Sequence, residues 1–124
     1  MTGQVQSAPD IAARCRQVVA AVTDRKAQDI RVLELGRISS LADYFVVCAG
    51  TNERQVQAIA DGVLERLNEN RVRPHHVEGH GSGRWILLDY GDFVVHVFEE
   101  STRAYYALEK LWADAPDVTA EFVG

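Results

Sequence analysis

The sequence lacks the features that mark secreted or membrane proteins. It has only two cysteines in 124 residues, Cys15 and Cys48, and each lies inside an apolar pattern instead of a paired spacing. This excludes a disulfide framework and predicts two reduced thiols in the core. No apolar run approaches the roughly 18 residues that a membrane helix needs. The segment Met1–Pro9 has neither a basic start nor an apolar stretch, so we expect a cytoplasmic protein without a membrane anchor.

Basic residues are also scarce. Lys and Arg total 13 against 18 Asp and Glu, which gives a formal net charge of -5, and the basic residues are scattered along the chain. Proteins that grip nucleic-acid phosphates directly do so with clusters of cations that displace counterions. The charge pattern therefore predicts little direct nucleic-acid contact. On a nucleic-acid assembly, we expect this chain to dock on a basic protein.

Helical spacing of apolar residues predicts helices in three parts of the chain. The first helix has a serine cap at Ser7, followed by Pro9 and Asp10, and runs to about Lys26. The last helix ends before Pro116. The predicted helices begin at Ser7, at Thr51 or Asn52, and at Ser101 or Thr102.

Short runs of β-branched and aromatic residues predict the strands. These strands are Ile30–Leu35, Tyr44–Ala49, His75–Glu78, Trp85–Tyr90 and Phe93–Glu99. The order of elements implies an α/β fold, with one mixed sheet of about five strands and helices packed mainly on one face. We expect a single domain over residues 7–115, with residues 1–6 and 116–124 as flexible ends.

The last two predicted strands form a hairpin, and its pattern of side chains is the most informative feature about function. If Asp89 faces Asp92 across the tight turn at Tyr90 and Gly91, alternation collects apolar residues on one face, which must meet the helices. This apolar face contains Ile86, Leu88, Phe93, Val95 and Val97. The opposite face, called the mixed face below, contains Trp85, Leu87, Asp89, Asp92, Val94, His96 and Phe98. Large apolar side chains beside ionisable ones are typical of a surface that another protein covers. The alternative is a cover from the first helix or the C-terminal tail.

A histidine-rich segment precedes the hairpin. His75, His76, Glu78 and His80 crowd one short stretch, and the last three would point to the same side of a strand. Alternate residues of a strand stand roughly 7 Å apart, which is wide for ligands of one zinc ion. The glycines of Gly79–Gly83 lead into a strand and not into a helix, which argues against a phosphate cradle. We predict exposed histidines, no metal site and no cofactor.

The sequence holds no complete set of catalytic residues. Gly50 and Thr51 suit the turn of a nucleotide-transfer enzyme, but the pair of strand carboxylates that would hold magnesium is missing. Asp89 and Asp92 are more simply turn formers, and Cys48 has no evident base. We predict a protein that is not an enzyme. A divergent nucleotidyltransferase-like enzyme using these two aspartates, and a simple homodimeric interaction module, stay open as alternatives.

Several blocks of the sequence carry a family resemblance. The strongest block is Gly83–Asp92, which reads Gly-Arg-Trp-Ile-Leu-Leu-Asp-Tyr-Gly-Asp. The other blocks are Asp24–Ile30, Ser40–Phe45, Gly50–Thr51, Arg54–Ala60 and Val95–Phe98, with Arg103, Tyr106, Leu108, Glu109, Leu111 and Trp112 near the end. Over roughly Ile11–Asp114 the chain strongly resembles the ribosomal silencing factor family, also called Iojap-like.

This resemblance implies a nucleotidyltransferase-like fold without enzymatic activity, in a cytoplasmic factor that binds the large ribosomal subunit. Family members dock on large-subunit ribosomal protein fourteen (uL14) and block joining of the small subunit when nutrients are short. The resemblance places partner contacts at Tyr44, Trp85, Asp89, Tyr90, Asp92 and His96. Alternation adds Leu87, Val94 and Phe98 to this set. The apolar part of the mixed face also predicts a possible homodimer. The histidine-rich segment and the short tail depart from the family pattern.

Overall fold

The computed structural model describes residues 10–36, 42–102, 107–108, 110 and 113–123. The predicted third helix falls largely outside these residues. The predicted cap at Ser7 and residues 1–6 fall wholly outside them. The helices are α1 (Ile11–Asp24) and α2 (Glu53–Asn68), and a short 3-10 helix spans Thr119–Glu121. The strands are β1 (Gln28–Glu34), β2 (Tyr44–Gly50), β3 (His76–Glu78), β4 (Trp85–Asp89) and β5 (Phe93–Glu99).

The strands form one mixed sheet in the order β1-β2-β5-β4-β3. β2 and β5 run parallel, and the other neighbouring pairs are antiparallel. Apolar residues of α1 and α2 pack on one face of this sheet. The predicted α/β fold, with a five-stranded mixed sheet and helices packed mainly on one face, is confirmed for the sheet and for α1 and α2.

Polar side chains fix where both helices begin. Asp10 caps α1, because its side chain accepts a hydrogen bond from the Ala13 amide at 3.0 Å. The cap is therefore three residues later than predicted, and Asp10 precedes the first turn instead of lying within it. Asn52 caps α2 by accepting from the Gln55 amide at 2.8 Å, and Gln55 in turn accepts from the Thr51 amide at 2.7 Å. This reciprocal arrangement stabilises the start of α2.

Both cysteines are free and buried on the helix side of the sheet, which confirms the prediction of two core thiols. Burial raises the pKa of the Cys15 thiol and of the Cys48 thiol to about 12. Neither side chain is a reactive thiolate near neutral pH, since only the deprotonated sulfur is a strong nucleophile.

The second face of the sheet has its own apolar cluster. Its buried members are Leu33, Leu35, Phe45, Val47, Phe98 and Ala115, with Val94 and Leu108 partly buried against them. Leu108 and Ala115 come from the C-terminal part of the chain, so the chain itself covers part of this face. The C-terminal part of the chain thus covers the mixed-face side of β1, β2 and β5, as the alternative interpretation predicts.

Residues 116–123 pack onto the domain, whereas the sequence pattern predicted a flexible end. The Glu34 amide donates to the Pro116 carbonyl at 2.9 Å, and the Val118 amide donates to the Val32 carbonyl at 2.8 Å. Phe122 is only 7% exposed and contacts the helix-side core. These contacts cover the outer edge of β1, which would otherwise present unpaired backbone groups. These hydrogen bonds, the partial burial of Val118 and the burial of Phe122 hold this segment in place.

One substitution tests this packing. The Thr119 hydroxyl accepts a hydrogen bond from the partly buried Val32 amide at 2.9 Å. We expect Thr119→Val to lower the free energy of unfolding by about 1 kcal/mol, because the Val32 amide loses its acceptor and the Asp117 carboxylate loses the hydroxyl that donates to it. Urea denaturation followed by circular dichroism measures the change. The matched control is Thr23→Val on α1, whose hydroxyl only donates back to the Val19 carbonyl within the helix. Equal stability of the Thr119→Val variant and the parent would contradict the packing.

Candidate docking surface on the sheet

The β4–β5 hairpin separates its two faces as alternation predicts. Ile86, Leu88, Phe93, Val95 and Val97 are all buried in the helix-side core. The pairing itself differs from the prediction, because Asp89 lies opposite Val94 and not opposite Asp92. The turn is correspondingly displaced by one residue to Gly91 and Asp92, because the Tyr90 amide donates to the Phe93 carbonyl at 3.0 Å. A shift by two residues leaves every side chain on its predicted face, since the side-chain period of a strand is two.

Burial divides the mixed face into a covered part and an open part. His96 is 3% exposed and Phe98 is fully buried. Trp85 is 40% exposed, while Leu87, Asp89 and Val94 are half-buried. We call Trp85, Leu87, Asp89 and Val94 the outer patch. Asp92 is exposed in the turn beside it.

Trp85 is held in one orientation although its indole is open to solvent. Its ring stacks on Phe98 with centroids 5.3 Å apart, and its indole N–H donates to Nδ1 of His96 at 3.1 Å. The His96 ring also meets the edge of Phe45 at a centroid distance of 4.6 Å. Trp85 is therefore a rigid aromatic surface, which is the type of side chain that anchors protein interfaces.

His96 is a neutral, buried imidazole. Because Nδ1 accepts from Trp85, the ring proton is assigned to Nε2. Nε2 is buried and has no hydrogen-bond partner among the described residues. Burial lowers the pKa of His96 to about 4, so the ring stays uncharged near neutral pH. His96 therefore holds Trp85 in place through the hydrogen bond to its indole and adds no charge to the mixed face.

The two tyrosines of the predicted set lie on the helix side of the sheet, away from the outer patch. Tyr90 is 6% exposed and stacks on Phe93, with ring centroids 4.9 Å apart. Burial raises the pKa of Tyr90 to about 12. Tyr44 is half-buried and packs edge-on against Phe122 at 5.4 Å. Both tyrosines lie near the turn that carries Asp92.

Residues of β3 extend the mixed face beyond the predicted set. Glu78 pairs with Leu87, and His76 pairs with Asp89. Side chains that pair across two strands share a face, so the predicted strand His75–Glu78 already held this signal. Glu78, Gly79, Trp85 and Leu87 line a shallow hollow of about 130 Å³. The outer patch is therefore bordered by an acidic side chain on the β3 side as well as by Asp92.

The histidine-rich segment makes separate pairs. His76 Nε2 lies 2.7 Å from a Glu78 carboxylate oxygen, and His80 Nε2 lies 2.7 Å from an Asp61 carboxylate oxygen. Among the residues that the structure describes, no three or more His, Cys, Asp or Glu side chains group as metal ligands would. Each histidine pair is thus a local contact between two side chains.

The carboxylates that the enzyme alternative requires lie at the wrong end of the sheet. Gly50 pairs with Glu99 at the carboxyl ends of the parallel strands β2 and β5. Asp92 precedes the opposite end of β5, which has 7 residues and therefore spans about 20 Å. The hollow of about 570 Å³ next to the Gly50–Thr51 turn is lined by Thr51, Asn52, Glu53, Arg54 and Glu99. Asp89 and Asp92 cannot serve chemistry at that turn.

This combination defines a small α/β sheet protein in which the described residues cover only part of the second face of the sheet. A family model described as ribosomal silencing factor during starvation matches residues 6–123. The chain belongs to this family, the ribosomal silencing factors. In the described ranges, no helix has both the length and the apolar character that crossing a membrane would require.

Relatives and solved structures agree with this assignment. The chain is 47% identical over 103 residues to the ribosomal silencing factor of Bacillus subtilis, covering 83% of this chain and 87% of that protein. A mouse protein named mitochondrial assembly of ribosomal large subunit protein 1 is 31% identical over 98 residues, covering 77% of this chain and 43% of that protein. A crystal structure from Chromobacterium violaceum superposes with a TM-score of 0.80 at 38% identity, covering 85% of this chain and 88% of that one.

Proposed function

We propose that this protein binds the large ribosomal subunit through uL14 and sterically blocks joining of the small subunit, which represses translation under nutrient limitation. The observation that supports this most is Trp85, an aromatic side chain that is 40% exposed yet fixed by His96 and Phe98. The family membership supports the ribosomal target. Translation takes place in the cytoplasm, which we propose as the site of action.

The outer patch supplies the apolar centre of the proposed interface. Trp85 offers a preorganised ring, and Leu87 and Val94 add half-buried apolar area beside it. Docking removes this surface from water without a large ordering cost, because the ring is already fixed. The full proposed partner-binding set is Tyr44, Trp85, Leu87, Asp89, Tyr90, Asp92, Val94, His96 and Phe98. Within this set, the buried members act by supporting the exposed ones.

Acidic side chains surround this centre. Asp89 and Asp92 lie at the turn end, and Glu78 lies beside Leu87 on β3. The chain carries a formal net charge of -5. This charge attracts a basic ribosomal protein and repels exposed ribosomal RNA, which favours uL14 as the contact and little direct nucleic-acid binding.

We propose that the protein acts by occupying space and not by catalysis. The two thiols are buried with raised pKa values, and His96 is buried with a lowered pKa. The acids Asp89 and Asp92 lie far from the Gly50–Thr51 turn. Among the described residues, these two thiols and His96 are thus in unreactive forms, and these two acids are held apart from the turn.

Sedimentation through sucrose gradients tests the proposal. We expect the protein to sediment with purified large subunits, and preloaded large subunits to form fewer complete ribosomes when small subunits are added. A matched control is Val123→Ala, which truncates another exposed apolar side chain, 49% exposed, away from the outer patch. This variant should block joining as the parent does. Normal joining in the presence of saturating protein would refute the proposal.

We further propose that the free protein forms a homodimer through the outer patch, since an exposed apolar centre invites burial against a second copy. Because only the monomer would then offer this surface, dimer and ribosome complex exclude each other. Repeating the gradients at rising protein concentration detects this competition as a lower apparent affinity for the subunit. An affinity independent of concentration would contradict it.

A further inference from the structure

The glycine-rich loop between β3 and β4, residues 79–84, is fastened along one side of α2. The side-chain amide of Gln57 donates to the carbonyls of His80 and Gly81 at 2.9 and 3.2 Å. One turn further along α2, Asp61 meets the ring of His80 at 2.7 Å. The loop is therefore tied to the helix through both its backbone and a side chain.

The same stripe of α2 holds the end of the loop. Glu53 lies four residues before Gln57, so the two side chains point to the same side of the helix. Its carboxylate is 3.3 Å from Nε of Arg84. Since Arg84 directly precedes Trp85, the stripe reaches the start of β4.

Two of the three glycines are required by close backbone contacts. Gly83 has φ +69°, and a Cβ there would lie 2.6 Å from the Glu53 carbonyl oxygen. Gly79 has φ +80°, and a Cβ there would lie 2.0 Å from the Trp85 carbonyl oxygen. Gly81, by contrast, faces open space, and a Cβ there would meet no atom within 4 Å. The loop thus touches α2 on one side and the backbone of Trp85 on the other.

We infer that Glu53, Gln57 and Asp61 form a clasp that positions Trp85 for docking on its protein partner; this inference rests on the proposed function. A loop with three glycines is intrinsically flexible, and a partner that had to order it would bind more weakly. The clasp orders the loop in advance. It acts from the helix side of the sheet, opposite the mixed face. Gln57 and Asp61 are therefore positioning residues that contribute to affinity without touching the partner.

The decisive variant is Gln57→Glu, which keeps the length of the side chain but replaces the donor amide by a carboxylate facing two carbonyl oxygens. In the free protein, we expect the indole N–H resonance of Trp85, assigned with Trp85→Phe, to shift and to exchange faster with water. Affinity for isolated uL14 should fall about tenfold. Asp61→Ala is a second variant that loosens the clasp differently. Gly81→Ala is the control and should change neither readout.

A double-mutant cycle separates positioning from a general loss of stability. If Gln57 acts through Trp85, Gln57→Glu should have no further effect on affinity in a Trp85→Ala background. Additive effects of the two substitutions would overturn the inference. If Trp85→Ala weakens binding but both clasp variants leave the indole resonance and the affinity unchanged, the inference is also overturned. If Trp85→Ala leaves uL14 binding intact, the proposed docking surface fails, and the indole resonance alone decides whether the clasp positions Trp85.

Discussion

Trp85→Ala should weaken binding to large ribosomal subunits by about 2 kcal/mol or more, which is roughly thirtyfold in affinity. The indole offers the most exposed aromatic surface of the mixed face, and its removal uncovers Phe98, which is fully buried in the parent. It also leaves Nδ1 of His96 without the indole donor. The interface would lose its rigid centre.

Binding is measured by sedimentation with purified subunits, and circular dichroism checks that the variant is folded. Because Trp85 is 40% exposed, we expect the fold to survive its truncation. Trp85→Phe preserves the stacking on Phe98 but not the hydrogen bond to His96, and should bind with intermediate affinity. Val123→Ala is the matched control. Parental affinity of the Trp85→Ala variant would show that the outer patch is not the docking surface.

Acid should destabilise the protein through His96. Burial lowers the pKa of His96 from 6.5 to about 4 in the folded state. Between these two values the unfolded chain binds a proton that the folded chain does not, so the free energy of unfolding falls as pH decreases. The stabilisation is fully present above pH 6.5 and is lost progressively down to about pH 4, with a total of about 3 kcal/mol.

Urea denaturation between pH 7 and pH 4 measures this dependence, and His96→Gln isolates it. Glutamine retains an acceptor for the indole of Trp85 but does not titrate, so the variant should lose stability less steeply than the parent. Val123→Ala, at an exposed position that does not titrate, is the control and should leave the parental pH dependence in place. Parallel curves for the parent and the His96→Gln variant would contradict a buried neutral histidine.

Local patterns predicted most of the fold because each element carries its own signal. The alternation Ile86, Leu88 on β4 and Phe93, Val95, Val97 on β5 was enough to assign the helix side of the hairpin. The exact pairing is not predictable, since a turn at Tyr90 and Gly91 and a turn at Gly91 and Asp92 give the same faces. Asp89 consequently pairs with Val94 and not with Asp92.

Burial of the mixed face could not be predicted from the hairpin alone. Phe98 is buried in a cluster that includes Leu108 and Ala115. Leu108 and Ala115 also cover residues of β1 and β2, from which they are distant in sequence. Phe122 likewise packs into the helix-side core, and no local sequence pattern near Pro116 predicts this contact. Long-range packing of this kind has no sequence period, which is why the tail was predicted to be flexible.

The position of Tyr90 shows how resemblance and alternation can point to different sides. Alternation places Tyr90 with Leu88, and the structure buries it in the same helix-side core. The family resemblance places Tyr90 in the partner-binding set. Its role there stays a proposal, and its buried ring indicates that it would act by shaping the turn that carries Asp92.

Site-specific photocrosslinking tests the docking surface most directly. Leu87, at the centre of the outer patch, is replaced by p-benzoylphenylalanine, the variant is bound to purified large subunits and irradiated, and the crosslinked component is identified by mass spectrometry. A control variant carries the same group at Thr23, which is exposed on α1 on the opposite side of the sheet. If the outer patch is the docking surface, we expect a crosslink from position 87 to uL14 and none from position 23. Two results would contradict docking through the outer patch. One is a crosslink to uL14 from position 23 and not from position 87. The other is a crosslink from position 87 to other components and not to uL14.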